Sequence, residues 1–521
     1  MTFKSPHPDI TIPSTHLTPF VFRHAERLAD KPAIVDVASG RAYTYGQLLA
    51  DARRLAAGLH RDGFNKGDVV AMMTPNILEY PIVFHGVALA GGATTTLNPL
   101  YTAGEIATQL KDSGARILVT IPALADKARE AAKEAGVERV VGIGGGEGLE
   151  AFSDLLSDDE VPDVAVDPAE DVVALPYSSG TTGFSKGVML THRNLVANIL
   201  QQEQAHRITE AESIIAFLPF FHIYGMQVLM NTALYQGATL LSMERFDLEQ
   251  YLRTIQEYRP KRIYIVPPVA LALAKHPMVA DYDLSSVEIA FSGAAPLDGE
   301  TAQACGARVG CTVIQGYGLT ETSPVTHSVL DDATNVVPGS IGAALPNTEV
   351  KVIDIETGEE LGEGQDGELW IRGAQIMKGY LNNPAATAAC IDADGFFHTG
   401  DIGHIDDRGE YFIVDRLKEL IKYKGLQVAP AELEAVLISH PKVTDAAVIG
   451  IPDEEAGEVP KGFVVLSEEL DPQEVMDYVA ERVAPHKKLR RLEIVDEIPK
   501  SASGKILRRL LRDREAAAIE A

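Results

Sequence analysis

The sequence of 521 residues is poor in several features that define large protein classes. Its three cysteines, Cys305, Cys311 and Cys390, form no C-x-x-C pair and cannot all be disulfide-bonded within the chain, so we expect reduced thiols in a cytoplasmic protein. The first residues, MTFKSPHPDI, lack an apolar signal core. No uninterrupted apolar run reaches the ~18 residues of a spanning helix. We therefore predict no membrane span.

Positive charge is also scarce. The chain has 46 Lys and Arg against 74 Asp and Glu, a formal net charge of −28, which argues against a protein that coats nucleic acid with its whole surface. An anionic ligand would need a local positive site. The most distinct basic cluster lies near the C-terminus, at Lys487, Lys488, Arg490, Arg491, Lys500, Lys505, Arg508, Arg509, Arg512 and Arg514.

The densest run of glycine and hydroxyl side chains is YSSGTTGFSKG, residues 177–187. The apolar VVALP before it predicts a buried strand, and VMLTHRNL after it predicts a helix start with Thr191 as its cap. Glycines, hydroxyl donors and Lys186 together predict a loop that binds polyphosphate, with a solvated linker as the alternative. A Walker loop is excluded, because Ser185 stands where that motif needs its second glycine.

Strand-like and helix-like segments alternate over most of the chain. PAIVDV, DVVAMM and ARILVT are typical of strands, whereas HLTPFVFRHAERLA, TYGQLLADARRLAAGLH and IVFHGVALAGG have helical spacing. AFLPFFHIYG, ATLLSM, RIYIVPP, EIAFSGAAPL and TVIQGYGLTET predict further strands that end in turns, where ligands of open α/β sheets bind. The pattern predicts a large α/β domain of mostly parallel sheets flanked by helices.

The pattern of predicted secondary structure changes twice toward the C-terminus. From Gly339 short strands and turns predict a small antiparallel sheet or barrel. The lysine-rich DRLKELIKYKG, which an exposed helix face would also explain, then precedes a compact α+β pattern of about 100 residues. We therefore predict a large domain over residues 1–415, with its β subdomain at about 339–415, and a small mobile domain over 416–521.

Eight motifs, in order, resemble those of the adenylate-forming acyl-CoA synthetases, and most closely the bacterial 4-coumarate:CoA ligases. The resemblance covers residues 13–512 and rests on YSSGTTGFSKGVMLTH, LPFFHIYG, SGAAPL, QGYGLTET, GELWIRG, HTGDIG, DRLKELIKYKGLQVAPAELE and PKSASGKILRR. It implies that a carboxylic acid reacts with MgATP to give an acyl-adenylate, and that coenzyme A then displaces AMP after the small domain rotates. Small-molecule acid, ATP, Mg²⁺ and coenzyme A are the implied ligands, bound by a monomer or homodimer.

The resemblance also implies a nucleotide site. Tyr317 lies at the adenine, Asp401 accepts hydrogen bonds from the ribose hydroxyls, and Arg416 lies beside the same sugar. Thr320 contacts phosphate, and Glu321 is the carboxylate associated with Mg²⁺. The other implied contacts are the phosphate-loop residues Ser178, Ser179, Gly180, Thr181, Thr182, Gly183 and Lys186, and the residues Gly293, Ala294, Ala295, Gln315, Gly316 and Gly318 near the adenine.

For catalysis the resemblance implies two sets of residues. Lys505 places its ammonium between the carboxylate and the α-phosphate, where negative charge gathers, and Lys500 is the nearby alternative. His222 lies at the acyl site as a gate or polarising group rather than as a base, since the acid is already ionised. After rotation another face of the small domain, with Lys422, Gly425 and Gln427, replaces Lys505. Lys424 and Gly425 are the implied coenzyme A contacts, and Lys418 is the implied hinge residue.

The acyl pocket implied by the resemblance carries no charge, which predicts an apolar or phenolic acid rather than an amino acid. The resemblance implies an aryl acid of the hydroxycinnamate type. Its residues are Phe221, Tyr224, Gly316, Gly318, Pro324 and Val325. A medium-chain fatty acyl-CoA ligase, a luciferase-like monooxygenase and a catalytically silent ATP-binding protein are the alternatives. The chain departs from the common family pattern at Phe184, Ser185 and Phe291, without a predicted loss of catalysis.

Overall fold

A computed structural model describes residues 1–178, 185–333, 336–424, 426–453, 455–501 and 504–520. Its largest sheet has eight strands, and the six from Val172–Ser178 to Glu150–Ala151 are parallel to one another. Lys186–Thr191 pairs antiparallel with Val172–Ser178, and Gly379–Tyr380 pairs antiparallel with Lys186–Thr191. The strands, in spatial order, are Gly379–Tyr380, Lys186–Thr191, Val172–Ser178, Ala93–Thr96, Val69–Met72, Ala115–Thr120, Arg139–Gly142 and Glu150–Ala151.

Two smaller sheets complete the α/β part, and each consists of three parallel strands with antiparallel additions at one edge. The first has strands Ser213–Ala216, Thr239–Ser242, Pro32–Asp36 and Ala42–Thr44. The second has strands Arg262–Ile265, Ile289–Ser292, Thr312–Gly318, Val325–Ser328 and Ala343–Ala344. The predicted α/β architecture with mostly parallel sheets is confirmed.

The region after Gly339 forms an open antiparallel sheet rather than a closed barrel. Its edge strand comes from the N-terminus, Thr2–Lys4, which the sequence did not predict; this strand pairs with Thr348–Ile353. The strands are, in order, Thr2–Lys4, Thr348–Ile353, Gly367–Gly373, Phe397–Ile405 and Tyr411–Arg416. The last strand ends at Arg416, so the predicted hinge residue Lys418 follows directly after this sheet.

The C-terminal part has its own sheet and its own apolar core around Val448, Val464 and Leu433. The strands Leu426–Val428, Ile421–Tyr423, Gly457–Leu466 and Val443–Asp453 are antiparallel, and Arg491–Ile494 adds to Gly457–Leu466 in parallel. A separate core is what an independent domain needs, so it supports the predicted C-terminal unit, whose boundary at 415 stays a prediction.

The helices flank the sheets. Tyr80–Leu89 is almost wholly buried, as its uninterrupted apolar sequence predicts. The α-helices are Leu17–Val21, Tyr45–Arg61, Tyr80–Leu89, Ala103–Ser113, Ala125–Ala135, His192–Ala205, Thr232–Gln236, Leu248–Tyr258, Pro267–Lys275, Gly299–Val309, Pro384–Cys390, Pro430–Ser439, Pro472–Ala480 and Arg508–Glu520. Short 3₁₀ turns occur at Pro122–Leu124, Phe152–Leu155, Pro277–Asp281, Thr320–Thr322 and Pro485–Lys487, and a π-helix at Tyr224–Asn231. Among the described helices, none has the length and apolar character that crossing a membrane requires.

Three local predictions need correction. The segment VMLT belongs to the strand Lys186–Thr191, although Thr191 does cap the following helix through Asn194. HLTPFVFRHAERLA is helical only at Leu17–Val21. In AFLPFFHIYG the strand ends at Ala216, and a π-helix begins at Tyr224. Local apolar spacing is a weak guide to element type, and packing in the fold overrides it in these segments.

Candidate active site

The two ends of the 177–187 segment lie side by side. Ser178 ends the strand Val172–Ser178 and pairs with Lys186, the first residue of the antiparallel strand Lys186–Thr191. The Tyr177 hydroxyl donates to Asp112 Oδ2 at 2.6 Å, which anchors the first of these strands. The strands on either side of residues 179–184 therefore lie next to each other as an antiparallel pair. The residues Ser179, Gly180, Thr181, Thr182 and Gly183 lie outside the described part of the chain.

The three residues predicted at the adenosine lie together. Asp401 and Arg416 are paired neighbours on the strands Phe397–Ile405 and Tyr411–Arg416, and Arg416 Nε lies 3.1 Å from Asp401 Oδ1. The Tyr317 hydroxyl donates to Asp401 Oδ2 at 2.6 Å. Asp401 is buried, and its charge raises the pKa of Arg416. The arrangement presents a carboxylate with fixed orientation and a permanent cation beside it.

The turns near the adenine position are built from residues without bulky side chains. A Cβ at Gly316 would lie 2.5 Å from Phe291 Cζ, and one at Gly318 would lie 1.9 Å from the Pro324 carbonyl oxygen. Larger residues at these two positions would therefore collide with their neighbours. Gly293 and Ala294 follow the strand Ile289–Ser292 and lead to Ala295, and a Cβ at Gly293 would lie 3.1 Å from the ring of Tyr224.

Gln315 lies beside this turn, but its amide is already occupied. Its Oε1 accepts from Leu297 N at 3.2 Å, and its Nε2 donates to the Leu297 carbonyl at 3.1 Å. Gln315 is buried. Gln315 therefore holds the 293–297 turn in place, and its direct contact with the nucleotide stays a prediction.

Glu321 lies on the 3₁₀ turn Thr320–Thr322 and is only 8% exposed. Its Oε1 accepts a hydrogen bond of 2.8 Å from the Tyr380 hydroxyl, while Oε2 accepts none from the described residues. A single carboxylate with a free oxygen fits Mg²⁺ that is held mainly by phosphates and water. Consistently, the described ranges contain no group of three or more His, Cys, Asp or Glu able to hold a metal ion.

His222 and Lys505 are far apart in sequence, yet Lys505 lies close enough for its charge to act on the His222 imidazole. Desolvation and the charge of Lys505 lower the pKa of His222 to about 4, so the imidazole is neutral at pH 7. Its Nδ1 accepts from the backbone N of Tyr224 at 3.2 Å, which places the ring proton on Nε2. The Nε2 proton of His222 is therefore available to donate a hydrogen bond, and its role at the acyl site stays a prediction.

Lys505 is held by the 499–507 loop. Burial, followed by the charge of Arg416, lowers its pKa to about 8, and within the described ranges its ammonium forms no salt bridge. The Ser501 backbone N donates to the Lys505 carbonyl at 2.8 Å, and Lys505 N donates to Ser501 Oγ at 3.1 Å. A Cβ at Gly504 would lie 3.3 Å from Pro268, so the loop touches the large domain.

Most of the other C-terminal basic residues are neutralised within their own domain. Lys500 Nζ lies 2.7 and 2.6 Å from the two carboxylate oxygens of Asp445, which excludes it as a free catalytic cation in this arrangement. Further ion pairs join Lys487 to Glu432, Arg508 to Glu434, Arg512 to Glu419 and Arg514 to Glu493. Of the cluster that stood out in the sequence, Lys505 is the residue whose charge acts on His222.

The predicted second face lies elsewhere. Lys422 and Gln427 are cross-strand partners in the hairpin of Ile421–Tyr423 and Leu426–Val428, and both are exposed. Lys424 pairs with Glu455 at 2.7 Å. The structure does not bring this hairpin to Lys505 or His222 through any described contact. Gly425 lies outside the described residues, and Lys418 follows Arg416 in the turn where the last strand of the large domain ends.

The predicted acyl pocket is lined by aromatic and small residues. Tyr224 and Val325 are buried, and the carbonyl oxygen of Phe221 accepts from Thr96 Oγ1 at 2.7 Å. The ring of Phe291 lies 6.3 Å from that of Tyr224, nearly perpendicular to it. Pro324 precedes the strand Val325–Ser328 and faces Gly318 through its carbonyl. No charged side chain belongs to this set.

A buried ion-pair network behind Phe291 was missed by the sequence reasoning. Asp331 accepts from His206 Nδ1 at 3.0 Å and from both terminal nitrogens of Arg262. The ring of His206 packs edge-on against Phe291 at 4.9 Å. These residues come from separate elements with no shared motif, so only the fold brings them together.

Comparisons with known proteins agree with this geometry. The sequence matches the AMP-binding enzyme family over residues 21–381 and its C-terminal domain over 432–505. It is 46% identical to a 4-coumarate--CoA ligase of Pinus taeda over 99% of this chain and 98% of that one, and 44% identical to 4-coumarate--CoA ligase 2 of Solanum tuberosum over 100% and 97%.

The fold is also similar to solved structures of CoA ligases. The anthranilate CoA ligase AuaEII with anthranoyl-AMP superposes with a TM-score of 0.89 at 27% identity, covering 98% of this chain and 99% of that one. ATP-bound MatB from Rhodopseudomonas palustris does so with 0.88 at 31% identity, over 96% and 99%. The chain therefore belongs to the AMP-binding enzyme family, as an AMP-forming acyl-CoA ligase that takes a small carboxylic acid, ATP and coenzyme A.

Proposed function

We propose that this enzyme joins an aryl acid of the hydroxycinnamate type to coenzyme A through an acyl-adenylate. The observation that carries the proposal is the approach of Lys505, from the C-terminal loop, to His222 at the acyl pocket and to Asp401 and Arg416 at the ribose position. A cation placed between an acid pocket and an adenosine pocket is where attack on an α-phosphate requires it.

In the first half-reaction a carboxylate oxygen of the acid attacks the α-phosphorus, and the bond to pyrophosphate breaks. The Lys505 ammonium orients the two reactants and stabilises the charge on the α-phosphate oxygens. His222 donates its Nε2 proton in a hydrogen bond to the acid, which holds the carboxylate in place. Lys186 and the 177–187 loop hold the departing β- and γ-phosphates.

Mg²⁺ supplies charge neutralisation on the phosphates when it is bound. We assign its protein contact to Glu321, since this buried carboxylate has one oxygen fixed by Tyr380 and the other free. The remaining ligands would be phosphate oxygens and water, which suits a site with one carboxylate.

In the second half-reaction the coenzyme A sulfur attacks the acyl carbonyl, and the bond to AMP breaks. We propose that the hairpin with Lys422, Lys424, Gly425 and Gln427 then takes the place of the Lys505 loop by rotation near Lys418. The hairpin is exposed and apart from the site in the structure, which supports a second orientation. A thiol with a pKa near ~8.5 needs only transient loss of its proton once it is positioned.

The choice of an aryl acid rests on the pocket lining. Tyr224 and Phe291 pack their rings nearly perpendicular to each other beside the predicted pocket, and no charged side chain in that pocket would repel an apolar acid. The similarity to the 4-coumarate--CoA ligases of Pinus taeda and Solanum tuberosum supports the same class of acid.

A panel of acids tests this proposal. We expect cinnamic and 4-coumaric acids to give higher kcat/KM for coenzyme A-dependent AMP release than benzoic, hexanoic or octanoic acid. The Lys505→Ala variant serves as the control that the activity comes from this site. If octanoate exceeds every aryl acid by tenfold, about 1.4 kcal/mol of transition-state preference, the enzyme is a fatty acyl-CoA ligase instead.

A further inference from the structure

Tyr380 occupies the space between the two groups assigned to the metal and the phosphates. Its hydroxyl donates to Glu321 Oε1 at 2.8 Å, and Lys186 Nζ lies 4.7 Å from the centre of its ring. The side chain is buried. One residue thus touches the candidate metal carboxylate with its polar end and the phosphate-loop lysine with its face.

The backbone around Tyr380 is fixed by several bonds. The short strand Gly379–Tyr380 pairs with Lys186–Thr191, so Tyr380 lies opposite Val188, two residues after Lys186. Tyr380 N donates to Thr387 Oγ1 at 2.9 Å, and Met377 N donates to the Glu321 carbonyl at 2.9 Å. The ring therefore has little freedom to move relative to either partner.

The chemistry of the phenol suits a permanent donor. A phenol has an ordinary pKa of ~10, so its proton stays on the hydroxyl at neutral pH. A neutral donor on one carboxylate oxygen leaves the negative charge of Glu321 in place and the other oxygen available. The ring face attracts the Lys186 ammonium without neutralising it.

We propose that Tyr380 is a positioning residue of the first half-reaction. It fixes Glu321 and Lys186 relative to each other, so that the metal and the β- and γ-phosphates are bound together. The proposal rests on the function proposed above. It makes a prediction that a merely structural role does not: loss of the hydroxyl alters the dependence on Mg²⁺, loss of the ring alters the contribution of Lys186, and neither alters thioester formation.

The first test is nucleotide binding by calorimetry, with a non-hydrolysable ATP analogue and a series of free Mg²⁺ concentrations. Tyr380→Phe should raise the Mg²⁺ concentration for half-maximal binding about tenfold, as expected for a lost hydrogen bond to a charged group. Tyr251→Phe is the matched control, since Tyr251 is buried and its hydroxyl has no partner among the described residues. An unchanged Mg²⁺ dependence in Tyr380→Phe would overturn the proposal.

The second test separates the ring from the hydroxyl. Tyr380→Leu should weaken analogue binding further than Tyr380→Phe, and this extra loss should vanish in the Lys186→Ala background, because the ring acts through that ammonium. An equal extra loss in both backgrounds would contradict the coupling. The single variants Tyr380→Phe and Tyr380→Leu should convert supplied acyl-adenylate and coenzyme A to thioester at the wild-type rate, which also shows that they are folded.

These readouts keep the two proposals apart. If the wild-type enzyme forms no thioester from any aryl acid, the proposed substrate class fails, yet the Mg²⁺ series still judges Tyr380 because it needs no acid. If thioester forms from aryl acids but Tyr380→Phe loses both half-reactions equally, Tyr380 is only a structural residue.

Discussion

Lys505 gives the clearest prediction at the scale of single residues. Its pKa in the free enzyme is lowered to about 8, first by burial and then by the charge of Arg416. The ammonium is the active form, so kcat/KM of adenylate formation should be constant below this pKa and fall as the pH rises through it. A pH profile of pyrophosphate release measures this. A profile that stays flat to pH values well above 8 would contradict the role of the ammonium.

The two proposed faces make a second prediction from single residues. Lys505→Ala should slow adenylate formation by about 10²–10³-fold, as for loss of a transition-state electrostatic contact, and leave thioester formation from supplied acyl-adenylate nearly intact. Lys422→Ala should do the reverse. Stopped-flow assays of each half-reaction check both. Equal losses of both half-reactions in both variants would rule out exchange of the two faces.

Residues that belong to the family motifs were easier to predict from sequence than residues outside those motifs. Tyr317, Asp401 and Arg416 come from three motifs, and the structure brings them together as the resemblance implied. Tyr380 was missed because its partner Glu321 lies 59 residues away and no local pattern links them. Gln315 belongs to the motif QGYGLTET, and its amide binds the backbone of Leu297; its direct contact with the nucleotide stays a prediction.

At the scale of elements, the Lys505 loop is fixed at its start by an ion pair. Lys500 and Asp445 are each about three-quarters buried. Lys500→Met should slow adenylate formation severalfold because the loop becomes less well placed, with a stability loss of about 1 kcal/mol or less. Lys442→Met is the matched control, since it breaks the more exposed pair with Glu468 in the same domain.

Single-turnover pyrophosphate release and thermal unfolding would measure the two effects of Lys500→Met. Asp445→Asn should reproduce the kinetic change, because it breaks the same pair from the other side. A slowed reaction in Lys442→Met of similar size would attribute the effect to general loosening of the domain and count against the loop.

The apolar pattern gave the right element type in some segments only. Tyr45–Arg61 and Tyr80–Leu89 are helices as predicted. HLTPFVFRHAERLA has similar spacing but is helical only at Leu17–Val21, since local spacing is a weak guide that packing can override. The lysine-rich run after Asp415 forms a turn and the strand Ile421–Tyr423 instead of a helix; this strand pairs with Leu426–Val428 along its length and with Gly457 at Tyr423.

At the scale of the whole molecule, the sheets bring strands from both ends of the large domain together. The strand Thr2–Lys4 pairs with Thr348–Ile353, so residues separated by most of the chain share one sheet. No composition or spacing rule would have paired them. The division into a large α/β part and a C-terminal α+β part was predictable, because each part carries its own apolar pattern.

The buried histidines predict how the stability of the whole molecule depends on pH. Desolvation lowers the pKa of His85, His192 and His327 to about 3 each. In the unfolded chain these groups take up protons below about pH 6.5, whereas the folded chain excludes them. Stability is therefore fully present above that pH and falls as the pH decreases, by up to ~1.4 kcal/mol per pH unit for each histidine.

Urea unfolding followed by circular dichroism from about pH 8 to about pH 5.5 would measure this dependence. His327→Gln should make the decline shallower by about one proton, since it removes one buried imidazole while keeping a polar group near Thr326. His60→Gln, at an exposed position on the helix Tyr45–Arg61, should leave the slope unchanged. A urea midpoint that stays constant over this range, or a slope equally affected by both substitutions, would show that the buried imidazoles do not control acid stability.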